Sequence, residues 1–309
     1  MQLLITGGAG FIGSNLARLA LADGHRVRVL DDLSTGRAAN LTGLDVDLVQ
    51  DTLLDPDAVL AAMRGAEAVV HLGAIPSVPR SIADPRATHD ANTTGTLNVL
   101  EAARSAGVRH VSVASSSSVY GANPAMPKSE LDYCRPLSPY AVSKQATEGY
   151  ALAYQVSYGL PTLAFRFFNV YGPGQAPDHD YAAVVPRFLR AALLDEPVTV
   201  HGDGTQSRDF TYVDTVGAVL LAAAVRGVVS PEPVNLAYRT NTTLLELLDL
   251  VEVEVGHRVR RLHTEPRVGD VRASQADSTR VTELFGEVEP VALADGLAAT
   301  AAWLRTWGR

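Results

Sequence analysis

Tyr140 and Lys144 stand four positions apart in the segment Ser138-Pro139-Tyr140-Ala141-Val142-Ser143-Lys144. On a helix that spacing puts both side chains on one face. An ammonium beside a phenol favours phenolate and lowers a pKa that is otherwise about 10. The pair then reads as a general base or acid usable near neutral pH. A second constellation, Thr6-Gly7-Gly8-Ala9-Gly10-Phe11-Ile12-Gly13, lies at the N-terminus. Gly7, Gly10 and Gly13 follow an apolar strand and open a helical stretch, the context in which such glycines cradle a pyrophosphate. A proton acceptor together with a dinucleotide is the equipment of an oxidoreductase.

These groups need a scaffold that brings distant segments together. Apolar runs at Leu3–Thr6, Arg26–Asp31, Asp47–Asp51, Ala68–Leu72, His110–Ser115 and Thr162–Phe167 read as strands. Periodic segments near 11–23, 56–64, 86–106 and 140–158 alternate with them as helices. Such alternation predicts an α/β fold, a Rossmann-type doubly wound parallel sheet that binds ligands at the carboxyl ends of its strands. After Asn169 the pattern loosens at Tyr171-Gly172-Pro173-Gly174-Gln175-Ala176-Pro177. Helices are expected near 214–226, 243–255 and 293–306, mixed with short strands. The expected division is a dinucleotide domain over 1–168 and 211–237, with a smaller, interleaved α/β substrate lobe over 169–210 and 238–309.

Asp31, at the end of the second strand, is placed to accept hydrogen bonds from ribose hydroxyls. It would repel a 2′-phosphate, as would Asp32 beside it, so NAD is expected over NADP; Arg37 could partly offset that repulsion. Asp51 ends the third strand and is placed to meet an adenine, although an exposed strand-end aspartate reads as well.

Composition narrows the class. A chain of 309 residues with 47% hydrophobic and 19% charged residues suits a globular enzyme, and a net charge of -8 offers no basic footprint for nucleic acid. One cysteine, Cys134, leaves no internal disulfide framework and no cysteine-rich metal site. No signal peptide is visible and no run approaches the roughly 20 apolar residues of a membrane span, so a cytoplasmic location without membrane association is expected.

Several further motifs accompany the glycine turn and the Tyr140/Lys144 pair. They are His71-Leu72-Gly73-Ala74, Asn92-Thr93-Thr94-Gly95-Thr96, Ser115-Ser116-Ser117-Ser118-Val119-Tyr120-Gly121, Arg166-Phe167-Phe168-Asn169-Val170-Tyr171-Gly172-Pro173 and Ser207-Arg208-Asp209-Phe210. Through these motifs the chain resembles, over essentially its whole length, the extended short-chain dehydrogenase/reductase superfamily. Within it, the chain is similar to the nucleotide-sugar epimerases of the UDP-glucose or UDP-N-acetylglucosamine 4-epimerase group. The resemblance implies a catalytic set of Ser116, Tyr140 and Lys144, with Ser115 or Ser117 as competitors within the serine run. It implies NAD contacts at Gly7, Gly10, Phe11, Ile12, Gly13, Asp31, Asp32, Ser34, Thr35, Gly36, Asp51 and Thr52. Further along, it implies them at Leu72, Gly73, Ala74, Asn92, Tyr140, Lys144 and Phe167.

For a UDP-sugar the resemblance implies Ser77, Ser116, Ser117, Tyr140 and Asn169, with Arg208 and Arg267 on the diphosphate and Asp270 on the uridine ribose. His201 falls near the uracil, where a polar strand-end histidine is an equally plain reading. Val184 and Val185 line the same pocket or simply pack in a core. Ser274 gates the sugar pocket, and its small size admits an N-acetyl group. The segment Ser77-Val78-Pro79-Arg80-Ser81 resembles relatives that take N-acetylhexosamines. Gly174-Gln175-Ala176 lacks the arginine of uronate-accepting relatives, although Arg80 could serve a carboxylate.

Sister dehydratases and decarboxylases place acidic side chains after the catalytic Ser or Thr. Ser117 and Ser118 occupy those places here, so C4 epimerisation is the expected reaction. A UDP-glucuronate 4-epimerase, a nucleotide-sugar dehydratase or decarboxylase, or a non-catalytic redox sensor on the same fold are the alternatives; the last is disfavoured because Tyr140 and Lys144 are both present. The resemblance also implies a homodimer through the helices near 86–106 and 140–158. No metal is expected.

Overall fold

Apolar runs such as Leu3-Leu4-Ile5 and Val69-Val70 can be buried on both faces only in a sheet covered by helices on each side, and these five side chains are fully buried. The computed structural model describes residues 1–178, 182–265 and 272–307. Strands β1 (Gln2–Thr6), β2 (Arg26–Leu30), β3 (Val46–Val49), β4 (Ala68–His71), β5 (His110–Ser116) and β6 (Thr162–Phe167) form its centre. They alternate with helices α1 (Phe11–Ala22), α2 (Pro56–Ala62), α3 (Val78–Ala83), α4 (Pro85–His89), α5 (Gly95–Ala106) and α6 (Pro139–Tyr158). Strand Val234–Leu236 completes a seven-stranded sheet in the order Val234–Leu236, β6, β5, β4, β1, β2, β3. All its pairings are parallel. The order reverses between β1 and β4, the switch point at which such sheets open a crevice.

The Rossmann-type fold expected from the alternation is therefore present, with two informative differences. The single helix expected over 86–106 is broken by a wide turn at Asp90–Thr94 between α4 and α5. There the Asn92 carbonyl accepts the hydroxyls of Thr96 (2.5 Å) and Thr147 (3.2 Å), so side chains draw it out of regular helical bonding. The segment after Asn169 also holds a helix, Val184–Leu193, that the expected pattern lacked. Its buried face of Val185, Phe188, Leu189 and Ala192 has helical spacing. That face packs with Val198, Val200, Leu247, Leu248, Val251 and Leu297 in a core separate from that of the sheet. Helix Thr279–Phe285 departs from the expected division, since its Val281 belongs to the core of the sheet.

α6 starts where the sequence demands. The Ser138 hydroxyl accepts a bond from the Ala141 N–H (3.2 Å), Pro139 fills the first turn, and Gly159 ends the helix in the left-handed conformation. Its inner face is tied to the sheet by a buried ion pair. Arg166 of β6 donates to both carboxylate oxygens of Glu148 on α6, at 3.0 and 2.7 Å. The Ser115 hydroxyl adds a third bond to Glu148 at 2.8 Å, and Arg166 also donates to the Cys134 sulfur at 3.3 Å.

Removing one member of a buried pair strands the other charge. Glu148→Ala should therefore lower the unfolding free energy by about 3–5 kcal/mol in urea titrations. A loss below about 1 kcal/mol would mean that α6 is held by its apolar contacts alone.

Candidate active site

The glycine turn fits a dinucleotide because nothing larger fits the turn. Gly7 has φ +68, and a Cβ there would lie 2.7 Å from the Gly73 nitrogen, so β1 and β4 approach at backbone distance. A Cβ on Gly13 would lie 2.4 Å from the Gly7 carbonyl oxygen. Gly10 begins α1 with no side-chain cap, which leaves the first N–H groups of a twelve-residue helix to an anionic ligand.

Asp31 lies just beyond β2, nearly buried. Its two oxygens accept the N–H groups of Ala9 and Leu33, each at 2.9 Å. Burial raises its pKa, and those two backbone bonds oppose the rise. Asp32 accepts the N–H and hydroxyl of Ser34, at 2.9 and 2.5 Å. Arg37, which could have welcomed a 2′-phosphate, is engaged with Asp178 at 3.1 and 3.2 Å.

A cleft of about 1110 Å³ runs along the carboxyl ends of the strands. Every residue expected to touch the dinucleotide lines it except Asn92. The Asn92 amide is spent behind the wall, accepting from the Ile75 N–H (2.7 Å) and donating to Ser143 Oγ (2.9 Å). It positions the loop after β4 rather than facing the cleft.

Tyr140 and Lys144 enter the same cleft from α6, and Ser116 enters it from the end of β5. The serine run sorts itself by geometry. Ser115 is buried and donates to Lys144 O (3.2 Å) and to Glu148. Ser116 Oγ accepts the Ser118 N–H (3.2 Å), and Ser116 lines the cleft together with Tyr140. Ser117 opens a short turn and lines neither this cleft nor the next.

One electrostatic expectation needs correcting. Burial raises the Tyr140 pKa, and the opposing influence is the nearby Ser116 hydroxyl rather than the Lys144 charge. Lys144 is itself buried, which pushes its pKa down to about 8, and its ammonium donates to the Ala114 carbonyl at 2.8 Å. Sharing a helix face thus brings the two side chains into one cleft without making their charge coupling the dominant effect.

A second cleft of about 420 Å³ shares Phe168, Val170 and Ala183 with the first. Asn169, Val184, Val185, His201 and Arg208 line it. Arg187 lines it too, a cation hidden from the sequence because the helix carrying it was not foreseen. His201 Nδ1 pairs with the Thr264 hydroxyl at 2.9 Å. Ser77 and Arg80 face the first cleft. Ser274 lines neither; its N–H donates to Ser207 O (3.2 Å) beside the strand that carries Arg208. Arg267 and Asp270 lie outside the described residues. Trp307 lines the first cleft from the far end of the chain, and no local motif announces it. Among the described residues no cluster of His, Cys, Asp or Glu could hold a metal ion, and no helix is long and apolar enough to cross a membrane.

Fold and site together define a dinucleotide-dependent enzyme of the extended short-chain dehydrogenase/reductase type. The model of the NAD dependent epimerase/dehydratase family matches residues 3–237. The chain is 40% identical over 312 residues to the UDP-glucose 4-epimerase of Mycolicibacterium smegmatis, covering 99% of each chain. It superposes with a TM-score of 0.94, at 31% identity, on the UDP-N-acetylglucosamine 4-epimerase from Methanobrevibacter ruminantium in complex with UDP-N-acetylmuramic acid. That match covers 99% of this chain and 98% of the other. The UDP-glucose 4-epimerase of Thermus thermophilus, solved in complex with NAD, gives 0.89 at 34% identity over 99% and 100% of the two chains. The chain belongs to the NAD dependent epimerase/dehydratase family, in its nucleotide-sugar epimerase group, and NAD is its cofactor.

A buried polar line stands behind the site. Thr96 gives its proton to Asn92 O, so it accepts from His71 Nε2 (3.0 Å), and His71 Nδ1 then accepts from the Thr6 hydroxyl (2.6 Å). Burial, and secondarily the Lys144 charge, hold the His71 pKa down at about 3. An unfolded histidine titrates near 6.5. The stability from keeping His71 neutral is therefore complete above about pH 6.5 and is lost as pH falls toward 3, at about 1.4 kcal/mol per unit. Between pH 6.5 and 5 the unfolding free energy should drop by about 2 kcal/mol from this residue. His71→Asn should remove about one proton from that slope, and an unchanged slope in urea titrations would place the acid sensitivity elsewhere.

Proposed function

We propose that this enzyme is an NAD-dependent UDP-sugar 4-epimerase that interconverts UDP-N-acetylglucosamine with UDP-N-acetylgalactosamine and accepts the plain UDP-hexoses. The observation that carries the reading is the convergence of Ser116, Tyr140 and Lys144 in the dinucleotide cleft, which shares Phe168 and Val170 with the cleft holding Arg187 and Arg208. NAD, when bound, supplies a hydride acceptor for C4 and returns the hydride to the opposite face of the 4-keto sugar. Tyr140 takes the 4-hydroxyl proton and gives it back. Ser116 would orient that hydroxyl, and Lys144 would hold the cofactor ribose. Asn169, Arg187 and Arg208 are placed to meet the diphosphate, since a net-acidic chain must hold two phosphates with chosen arginines.

Epimerisation is favoured over elimination or decarboxylation because Ser117 and Ser118 have no acid to offer after the catalytic serine. A uronate is disfavoured by Gln175 and Ala176, which line the first cleft where an arginine would serve a carboxylate. The proposed assembly is a cytoplasmic homodimer. It is supported by the apolar residues that α6 leaves at the surface, Val142 at 54%, Tyr150 at 37% and Val156 at 87% exposure.

Incubation with a panel of UDP-sugars separates the readings by mass: epimerisation leaves it unchanged, whereas dehydration loses water and decarboxylation loses carbon dioxide. Tyr140→Phe should stay folded and lose roughly 10²–10⁴-fold in turnover. Near-normal turnover would transfer the proton step to another group. Ser116→Ala should be milder, and it should exceed Ser117→Ala. Ser274→Tyr should cut kcat/KM for the N-acetyl sugars by roughly 5- to 150-fold, an overpacking cost of about 1–3 kcal/mol. UDP-glucose and UDP-galactose should be largely spared. An unchanged ratio between the two sugar classes would remove Ser274 from the sugar pocket.

A further inference from the structure

Three segments from distant parts of the chain meet at the adenosine end of the cofactor cleft. The first, residues 31–37, carries Asp31 and Asp32 and is bound to the glycine turn. Arg37 N–H donates to Ala9 O at 3.0 Å, and Asn40 donates to the same carbonyl at 2.8 Å. The second is the loop before Asp178, fixed to α1 where Asn15 donates to Pro173 O at 2.8 Å. The third is the C-terminal end. There Trp307 packs on Trp303 with ring centroids 4.7 Å apart, and both rings rest on the core of the second lobe.

Arg37 joins all three. Its guanidinium bonds Asp178 and lies 4.8 Å from the Trp307 ring centroid. Arg37 and Trp307 both line the dinucleotide cleft. A cation–π contact and an ion pair thus act on one guanidinium at the cleft mouth.

We propose that Arg37 and Trp307, with Asp178 fixing the arginine, form a clasp over the adenosine half of bound NAD and set how slowly the cofactor leaves. The inference rests on the assignment of this cleft to NAD. The chemistry gives the clasp a purpose. An epimerase ends each cycle with its cofactor as it began, so release serves no step, and release between the two hydride transfers would strand a 4-keto sugar. The clasp is also built from the second lobe, so the cofactor is covered by the part of the protein that holds the substrate.

The protein has two tryptophans, Trp303 and Trp307, and each can be observed alone. In Trp303→Phe, emission from Trp307 should change on titration with NAD. In Trp307→Phe, emission from Trp303 should change little. NAD release, followed by displacement with excess NADH, should speed up by roughly 3- to 10-fold in Trp307→Ala and in Asp178→Asn, the scale of one exposed contact. High salt should accelerate release from the wild-type protein and leave Asp178→Asn nearly unaffected, because the screened pair is already gone. A merely structural contact would move the melting temperature in both variants without this salt dependence. Tight NAD binding with unaltered release in both variants overturns the clasp alone. Failure of the wild-type protein to bind NAD in calorimetry overturns the cofactor assignment and the clasp together.

Discussion

Ser116 and Tyr140 come from two elements, and they enter one cleft together only while α6 keeps one register against β5. A slide of a single residue, about 1.5 Å along the helix, would part them. Hydrophobic packing alone holds such a register loosely, because methyl groups accept many near-equivalent contacts. Here the register is pinned by directional bonds. Ser115 donates to Lys144 O and to Glu148, Lys144 donates to Ala114 O, and Arg166 grips both oxygens of Glu148. Burying that ion pair costs desolvation, and what the protein gains for it is position rather than net stability.

The cofactor side depends on distance in the opposite sense. Where α6 is held by polar ties, the glycine turn works by the absence of side chains. β1 and β4 approach until the Gly7 and Gly73 backbones nearly touch, and the free N–H groups of α1 are left facing the crevice. The buried line Thr6–His71–Thr96–Asn92–Ser143 then connects the two halves. Thr6 also accepts the Gly73 N–H at 3.2 Å, and Ser143 donates to Tyr140 O at 2.8 Å. Cofactor loop and catalytic helix therefore share one set of fully engaged polar groups, in which a displaced member would leave its neighbours unsatisfied.

Much of this was legible in the sequence, where local pattern is enough. The glycine spacing, the strand-end Asp31, and the Tyr140/Lys144 spacing each describe a geometry that neighbouring residues enforce. What was not legible depends on contacts between segments. Asn92 carries the look of a cofactor residue, yet its amide is consumed by Ile75 and Ser143. The Lys144 charge was expected to govern the phenol, but burial and Ser116 outweigh it, and burial cannot be read from spacing. Arg187 was missed with its helix, although Val185, Phe188, Leu189 and Ala192 repeat with helical period. Trp307 had no local signal at all, because its place beside Arg37 is set by the whole second lobe.

The same distinction explains why reaction and substrate are specified at different levels. The proton-transfer groups and the dinucleotide turn sit on the seven-stranded sheet and on the helix docked to it, elements with little freedom to vary. The second cleft is built from helix and strand ends of the smaller lobe and from the short strand Ser207–Arg208. Its lining residues include neither Ser116 nor Tyr140. The two relatives at 31 and 40% identity are named for different sugars, and the one whose structure is solved keeps the same architecture. The charge that the second cleft offers comes from Arg187 and Arg208, which reach it from a helix and a strand of the smaller lobe.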